Sequence, residues 1–219
     1  MSSLGRMAAG VAHEINNPLA GILLFSSNMS KKVDPGSPLE KGLKIIIRET
    51  LRCKSIIQGL LEFARDKPPK KVMEDINDVI RTAMGVVENQ FYVRHVSLEP
   101  HLAQDMVKTP LDKNQIEQMF INLLLNALQA VEDHGRVSVK STLDSEKNRI
   151  ETEIADNGCG ISVENVKKIF EPFYTTRANG TGLGLAVSYG IIENHRCNIR
   201  VFSKLGEGTR FVIDFPILD

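Results

Sequence analysis

The sequence has no tryptophan, and aromatic side chains make up only 5% of its 219 residues. Proteins that bind single-stranded nucleic acid stack the bases on aromatic side chains, so we do not expect a partner of this class. Lysine plus arginine (27) equals aspartate plus glutamate (27). A chain with balanced charge has no net cationic field that would attract nucleic acid or an anionic membrane.

Long apolar runs and paired cysteines are also missing. Uninterrupted apolar stretches such as Ile22–Phe25 are far shorter than the ~18 residues that span a bilayer, and no secretory leader opens the chain. The three cysteines are an odd number without metal-ligand spacing. With 42% apolar and 25% charged residues, the composition predicts a globular protein in a reducing cytoplasm, without membrane contact by this segment.

The first 66 residues have the periodicity of two helices. The apolar face of the first is predicted to contain Leu4, Ala8, Val11, Ile15 and Ile22, and that of the second Leu43, Ile47, Thr50, Ile57, Leu61 and Ala64. Between them, the segment Lys31–Pro38 contains two prolines and one glycine, a composition that predicts a turn. Because a helical hairpin buries only one stripe per helix, we expect two copies to form a four-helix bundle.

The pattern changes after Asp66–Lys71, which breaks the periodicity and predicts a linker. We therefore predict a first domain over residues 1–66, a linker over 67–71 and a second domain over 72–219. Helices are predicted at Asn77–Gln90, Leu111–Val131, Val163–Ile169 and Leu183–Asn194, and strands at Val96–Glu99, Arg136–Thr142, Arg149–Ala155, Ile199–Ser203 and Thr209–Phe215. Mixed elements without βαβ alternation favour an α+β sandwich with helices on one face of the sheet.

His13 is a candidate nucleophile on the first helix. At ~100° per residue it lies about 200° from Val11 and Ile15, away from the apolar stripe, while Asn17 lies only about 40° from it. Glu14 is next in the chain and could accept its proton. Pro18 lacks an amide hydrogen and should bend or loosen the helix. The alternative is an ordinary solvated histidine on a helix surface.

The second half contains glycine clusters and a pair of amides. Gly180-Thr181-Gly182 precedes a predicted helix, where backbone amides suit a polyphosphate, although a tight turn explains the glycines equally. Neither the dinucleotide fingerprint nor the Walker pattern is matched. Asn122 and Asn126 lie four residues apart and share one helix face, where they would either cap loops or offer amide oxygen to Mg²⁺.

Together these residues resemble the transmitter core of sensor histidine kinases over essentially the whole chain. Six segments are similar, in order, to the family's conserved boxes: Val11–Leu19 to the phosphoacceptor box, Asn122–Ala127 to the N box, Asp156–Ile161 to the first glycine box, Phe170–Thr176 to the F box, Gly180–Leu185 to the second glycine box and Gly206–Thr209 to the third. The Asn-Pro after His-Glu is similar to the nitrogen-regulator type.

The resemblance implies a dimeric helical hairpin followed by an α+β sandwich of the Bergerat, or GHKL, ATP-binding type. It implies that His13 accepts the γ-phosphoryl group of ATP with Glu14 as base, and passes it to an aspartate on a response-regulator receiver domain. Asn17 would support dephosphorylation of that regulator. Asn126 would bind Mg²⁺ and Asp156 the adenine amino group. The implied ATP-binding set is Asn122, Asn126, Asp156, Gly158, Gly160, Ile161, Phe173, Thr175, Thr176, Arg177, Gly180, Thr181, Gly182, Leu183, Gly184, Leu185 and Thr209.

The chain departs from the family pattern at two places. Arg196-Cys197 stands where the family usually has two glycines, and Gln129 stands where many members have a basic residue that touches phosphate, which leaves Arg177 to neutralise that charge. Only twelve residues precede His13, so we expect a piece of a longer protein that a missing sensor region could anchor to a membrane.

Two other functions remain open. The first is a hydrolysing ATPase of the gyrase, chaperone and mismatch-repair superfamily, but such enzymes have a glutamate base where this sequence has Asn122. The second is a pseudokinase scaffold, which the intact His13, Asn126 and Asp156 disfavour.

Overall fold

The computed structural model describes residues 3–64, 68–177 and 180–217, with side chains described from Glu14 to Leu61 in the first of these ranges. Among these residues the chain forms two compact units. One contains the described residues up to Ala64 together with those of Pro172–Leu183, and the other contains Pro68–Glu171 and the described residues from Gly184 onwards. No helix in the described residues is both long and apolar enough to cross a membrane.

The N-terminal unit is built on two long helices, α1 (Ser3–Ser30) and α2 (Pro38–Ala64), which pack against each other. The predicted turn between them is confirmed: Glu40 accepts a hydrogen bond from the Gly36 amide at 2.6 Å, and the Ser37 hydroxyl accepts one from the Glu40 amide at 3.1 Å. Helix α1 continues through Pro18. The bend expected at this proline stays a prediction.

The apolar stripe predicted for α2 is largely confirmed, since Leu43, Thr50 and Ile57 are buried. In α1, Ile15 and Ile22 are 41% and 46% exposed in the single chain, so their burial, which we expect in a bundle of two copies, stays a prediction. In a hairpin each helix packs against only one other helix, so part of its apolar surface stays exposed to solvent. The predicted core residues Leu4, Ala8, Val11 and Ala64, and the linker residue Lys67, lie outside the described side chains.

The second unit has a five-stranded mixed sheet and a two-stranded sheet. In chain order the elements are β1 (Val72–Glu74), α3 (Ile76–Val93), β2 (Ser97–Leu102), β3 (Thr109–Leu111), α4 (Lys113–Ala130), β4 (Arg136–Asp144), β5 (Arg149–Asp156), α5 (Val163–Val166), α6 (Gly184–Asn194), β6 (Asn198–Lys204) and β7 (Gly208–Pro216). The larger sheet has the order β2-β4-β5-β7-β6, with only β2 and β4 parallel, and β1 pairs with β3.

The two faces of the larger sheet differ in chemistry. One face packs on α3, α4 and α6 and supplies core residues such as Val139, Ile154 and Ile213. The alternate residues of β5, β6 and β7 form ion pairs along the other face, where Arg149 and Arg200 bind the carboxylate of Asp214 at 2.9 and 3.0 Å. Because side chains alternate across a strand, this division confirms the predicted sandwich with helices on one face.

Helix α6 ends in a turn that a glycine would adopt more easily than the arginine present. Arg196 has φ +58°, its amide donates to the Glu193 carbonyl at 2.9 Å, and the Cys197 amide donates to the Ile192 carbonyl at 3.0 Å. These two bonds define a Schellman motif, in which the residue after the cap is left-handed. The chain therefore builds this turn with Arg196-Cys197 in place of the glycines that the resemblance leads one to expect there.

We expect Arg196→Gly to raise the free energy of unfolding by about 1 kcal/mol, because a left-handed non-glycine residue costs about 1–2 kcal/mol and part of this is offset by the greater freedom of glycine in the unfolded chain. Denaturant titration measures the change. Arg196→Ala is the matched control: it removes the same side chain but keeps the left-handed strain, and should bring no gain. An equal gain in both variants would contradict the backbone explanation.

Candidate functional site

The predicted phosphoacceptor segment lies on α1, which contains His13 in its backbone; the imidazole is outside the described side chains. Glu14 and Asn17 are both exposed on this helix. Two solvent-facing polar side chains thus follow the histidine within little more than one helical turn.

Asp156 is the last residue of β5 and organises the turn that follows it. Its Oδ1 accepts hydrogen bonds from the amides of Gly158 at 2.9 Å and Thr209 at 3.3 Å. The carboxylate is therefore fixed by the backbone of two segments that are distant in sequence. A carboxylate held this way is a directional acceptor for an amino group such as that of adenine.

Gly158 and Gly160 are required in this turn for different reasons. A Cβ at Gly158 would collide with the carbonyl of Ala130, the last residue of α4, and the next amide, that of Cys159, donates to the same carbonyl at 3.0 Å. Gly160 has φ +68° and a Cβ there would collide with the carbonyl of Lys204. The first glycine thus docks the Asp156 turn on α4, and the second lets it run beside β6.

Ser203 closes the same turn from β6 and was not identified from the sequence. Its hydroxyl accepts from the Ile161 amide at 2.7 Å, and it lies 2.9 Å from both the Gly208 carbonyl and the Thr209 hydroxyl. The structure therefore brings Asp156, Ile161 and Thr209, predicted from two separate boxes, into one hydrogen-bonded cluster. An alternating strand pattern gives no signal for such a role, which depends on pairing between β6 and β7.

The two amides of α4 have different surroundings. The Asn122 side chain accepts from Gln118 at 3.1 Å and donates to the Gly184 carbonyl at 3.3 Å, so it ties α4 to the start of α6. Asn126 lies one turn further along α4, half-buried, and one turn before Ala130. The magnesium candidate and the Asp156 turn are thus held on the same helix.

The remaining predicted residues, apart from Gly184 and Leu185 in α6, lie in the segment Pro172–Leu183, which belongs to the N-terminal unit. The Phe173 amide donates to the Gly182 carbonyl at 2.9 Å, and both residues are left-handed, with φ +66° and +69°. This bond closes the base of a loop, which we call the glycine loop (residues 173–182, described except for 178 and 179). Within it the Thr175 hydroxyl accepts from the Arg177 amide at 3.1 Å.

The glycine loop presents polar groups from several predicted site residues. Thr175 and Thr176 are exposed, while Arg177, Gly180 and Thr181 are partly exposed. The Gly180 amide donates to the Arg177 carbonyl at 3.2 Å. Together with the bond from the Arg177 amide to the Thr175 hydroxyl, this bond folds the loop back on itself. Leu183 follows it and is buried, with its side chain beside Gly59 on α2.

The residues of the second unit fit a nucleotide with Mg²⁺. The Asp156 carboxylate offers an acceptor to an exocyclic amine, and Asn126 offers one amide oxygen. Mg²⁺ bound with a nucleotide takes few protein ligands and completes its shell with phosphate oxygens and water. The described residues accordingly hold no cluster of three or more His, Cys, Asp or Glu that could bind a metal ion by itself.

Comparison with known proteins identifies two domains. Residues 3–69 match the His Kinase A (phospho-acceptor) domain, and residues 111–219 match the histidine kinase-, DNA gyrase B-, and HSP90-like ATPase family. This chain belongs to the sensor histidine kinases. It has the two domains of a histidine kinase transmitter core, a phospho-acceptor domain and a domain of an ATPase family.

The relatives of this histidine kinase core are longer proteins. The signal transduction histidine-protein kinase AtoS of Escherichia coli is 33% identical over 99% of this chain and 35% of its own length. Sporulation kinase A of Bacillus subtilis is 34% identical over 99% of this chain and 35% of its own length. The sensor histidine kinase ZraS of Escherichia coli is 32% identical over 98% and 46%. The chain thus spans between a third and a half of these relatives.

Solved structures share the fold. Histidine kinase ThkA, in a crystal structure with the response regulator protein TrrA, is 28% identical with a TM-score of 0.71, over 99% of this chain and 63% of that one. The Acinetobacter baumannii kinase AdeS, 23% identical, has a TM-score of 0.65 over 94% and 98%. The predicted fold, a helical hairpin followed by a Bergerat-type α+β sandwich, is confirmed.

Proposed function

We propose that this core phosphorylates itself on His13 with ATP and transfers the phosphoryl group to an aspartate of a response-regulator receiver domain. The observation that carries the proposal is the docking of the Asp156 turn on the end of α4 through the Cys159 amide and the Ala130 carbonyl. It joins an adenine acceptor and the Asn126 amide in one rigid frame. Phosphoryl transfer needs mainly such positioning together with charge neutralisation.

Each residue has a proposed role in this reaction. His13 attacks the γ-phosphorus, the bond to the ADP oxygen breaks, and Glu14 accepts the imidazole proton. Asp156 binds the adenine amino group and Asn126 the magnesium ion. The glycine loop with Gly184 and Leu185 covers the triphosphate, and Arg177 supplies positive charge there, since Gln129 is neutral. The proposed domain limits are 1–66, 67–71 and 72–219.

The amide side chain of Asn122 favours phosphoryl transfer over hydrolysis of ATP. Hydrolysing relatives need a base for water at this place in the helix. An amide cannot accept a proton at neutral pH, and the Asn122 amide is engaged with Gln118 and Gly184. His13 is then the acceptor that remains.

A homodimer is proposed on the hairpin. Apolar side chains that one chain leaves exposed are found on both helices, among them Ile15, Ile22 and Phe25 of α1 and Ile45 and Leu51 of α2. Exposed apolar patches of this kind mark association surfaces. A second copy would bury them in a symmetric four-helix bundle.

A response regulator is the proposed partner of the phosphorylated hairpin. The support is the solved complex of the similar kinase ThkA with the response regulator protein TrrA. Asn17, exposed one turn after His13, would align water for dephosphorylation of the regulator, which makes the core a phosphatase as well.

The test is incubation with γ-labelled ATP and Mg²⁺, followed by treatment of the labelled protein with acid and with base. Phosphohistidine is expected, so the label should survive base and be lost in acid. Asn17→Ala should take up label normally and slow the loss of label from an added receiver domain. ATP consumption without labelled protein would instead support the hydrolysing ATPase, and base-labile label would place the acceptor on another residue type.

A further inference from the structure

Asp112 precedes α4 and uses its two carboxylate oxygens for two different segments. Oδ1 accepts from the amides of Asn114 and Gln115 at 3.1 and 3.2 Å, which caps the helix. Oδ2 accepts from the amide of Lys70 at 2.8 Å. Lys70 belongs to the linker, 42 residues earlier in the chain. One side chain thus joins the linker to the helix that contains Asn122 and Asn126.

The backbone of Asp112 is itself fixed by a buried histidine. The Asp112 amide donates to Nε2 of His195 at 3.0 Å, and Nδ1 of this ring lies 2.8 Å from the Ile191 carbonyl. His195 is 4% exposed, and burial lowers its pKa, with Lys71 lowering it further. The ring is therefore neutral, with the Nδ1–H tautomer that leaves Nε2 free to accept.

The linker also lies along a small cavity beside this histidine. The cavity has a volume of about 210 Å³, and its lining includes Pro69, Lys71, His195 and Cys197. Burial raises the pKa of the Cys197 thiol to about 12, so this thiol is uncharged at neutral pH. Two residues after Lys70, Val72 pairs with Leu111 at the start of the two-stranded sheet. The segment from Pro69 to Val72 is thus attached to the second unit at successive points.

We propose that Asp112 is a positioning residue for the phosphoryl transfer, because its Oδ2 fixes the point at which the linker leaves the catalytic unit while its Oδ1 holds α4. The inference rests on the proposed function. With Lys70 attached, five residues separate it from Ala64, the last residue of α2. Without this bond the next fixed point is Val72, and the connection gains two residues, or about 7 Å of reach.

A longer connection lowers the frequency with which the nucleotide and His13 meet in the reactive orientation, since effective concentration falls with tether length. Binding of ATP is not affected, because α4 keeps its cap. The expected signature is therefore a slower phosphoryl transfer at saturating ATP with unchanged ATP affinity.

Two variants break the bond from its two ends. Lys70→Pro removes the amide donor and leaves Asp112 intact. Asp112→Asn keeps one carbonyl oxygen, which can cap α4 or bind Lys70 but not both. Asp75→Asn is the matched control, because Asp75 caps α3 through the Asn77 amide at 2.8 Å, whereas the Lys70 amide donates to Asp112. It removes the same charge at a helix start in the same unit.

Three readouts are compared in the intact chain. Exchange of the Lys70 amide, followed by NMR without ATP, should be at least about tenfold faster in Asp112→Asn than in the wild type and in Asp75→Asn. The rate of autophosphorylation at saturating ATP should fall about threefold or more in Asp112→Asn and Lys70→Pro. The ATP dissociation constant from calorimetry should stay within about twofold of the wild type in all proteins.

The outcomes separate this proposal from the proposed function. Unchanged Lys70 exchange in Asp112→Asn, or faster exchange with a wild-type rate of phosphorylation, would overturn the positioning role. A parallel loss of ATP affinity would make Asp112 a helix cap only. Absence of labelling in the wild type would refute the kinase reaction, and the positioning role with it, whatever the exchange data show about the bond.

Discussion

Replacing His13 by glutamine is expected to abolish labelling from γ-labelled ATP, with a loss of at least about a thousandfold. Removing the nucleophile of a group-transfer reaction eliminates the covalent intermediate, and no other group of the enzyme replaces it. Glutamine keeps a polar side chain of similar reach and favours a helix. The measurement is the initial rate of incorporation at saturating ATP, together with the ATP dissociation constant, which should not change.

His101→Gln is the matched control for this variant. His101 is exposed on β2, so the substitution is chemically identical but distant in sequence from α1. Its labelling should equal that of the wild type. Stable label in His13→Gln at more than a few per cent of the wild-type level would show that another residue is the acceptor.

Asp156→Asn is expected to weaken ATP binding by about a hundredfold or more. Loss of a hydrogen bond to a charged group costs about 1.5–3 kcal/mol, and the amide would also turn a donor toward the donor amino group of adenine. Because asparagine keeps one carbonyl oxygen, it can still accept from the amides of Gly158 and Thr209, so the turn should persist. Titration calorimetry measures the affinity, and thermal unfolding verifies the fold.

Inosine triphosphate provides a sharper version of the same experiment. Its base has a carbonyl where adenine has the amino group. The ratio of the affinity for inosine triphosphate to the affinity for ATP should therefore be higher for Asp156→Asn than for the wild type. Asp144→Asn is the control, since Asp144 also accepts a backbone amide after a strand, from Lys147 at 3.2 Å, but in another turn. Equal ATP affinity of Asp156→Asn and wild type would remove Asp156 from the adenine site.

The helices and longer strands of the second unit could be predicted because their signals are local. Asn77–Gln90 and Arg149–Ala155 were predicted from periodicity and correspond to α3 and β5 within a few residues. The two-stranded sheet was missed, because β1 and β3 have three residues each and β3 contains Pro110. A strand this short has no periodicity, and it exists only through its pairing with a distant segment.

The catalytic candidates could also be identified in the sequence, since each is part of a continuous box. What could not be predicted is which other groups of the protein each side chain contacts. Asn122 and Asn126 are equivalent in the sequence pattern, but only the tertiary structure places the Asn122 amide against Gly184, 62 residues later. Ser203 gave no signal, although it closes the Asp156 turn.

By itself the sequence determined the family and most of the helices and longer strands, because residue types and their spacing are local properties. The tertiary structure decided how distant segments meet. It gave Asp112 hydrogen bonds with His195 and Lys70 and gave Arg196 a left-handed backbone conformation. In the single chain it left Ile15 and Ile22 of α1 exposed. These features depend on which buried groups find hydrogen-bond partners and which apolar surfaces find neighbours, and a chain satisfies both requirements only when it is folded.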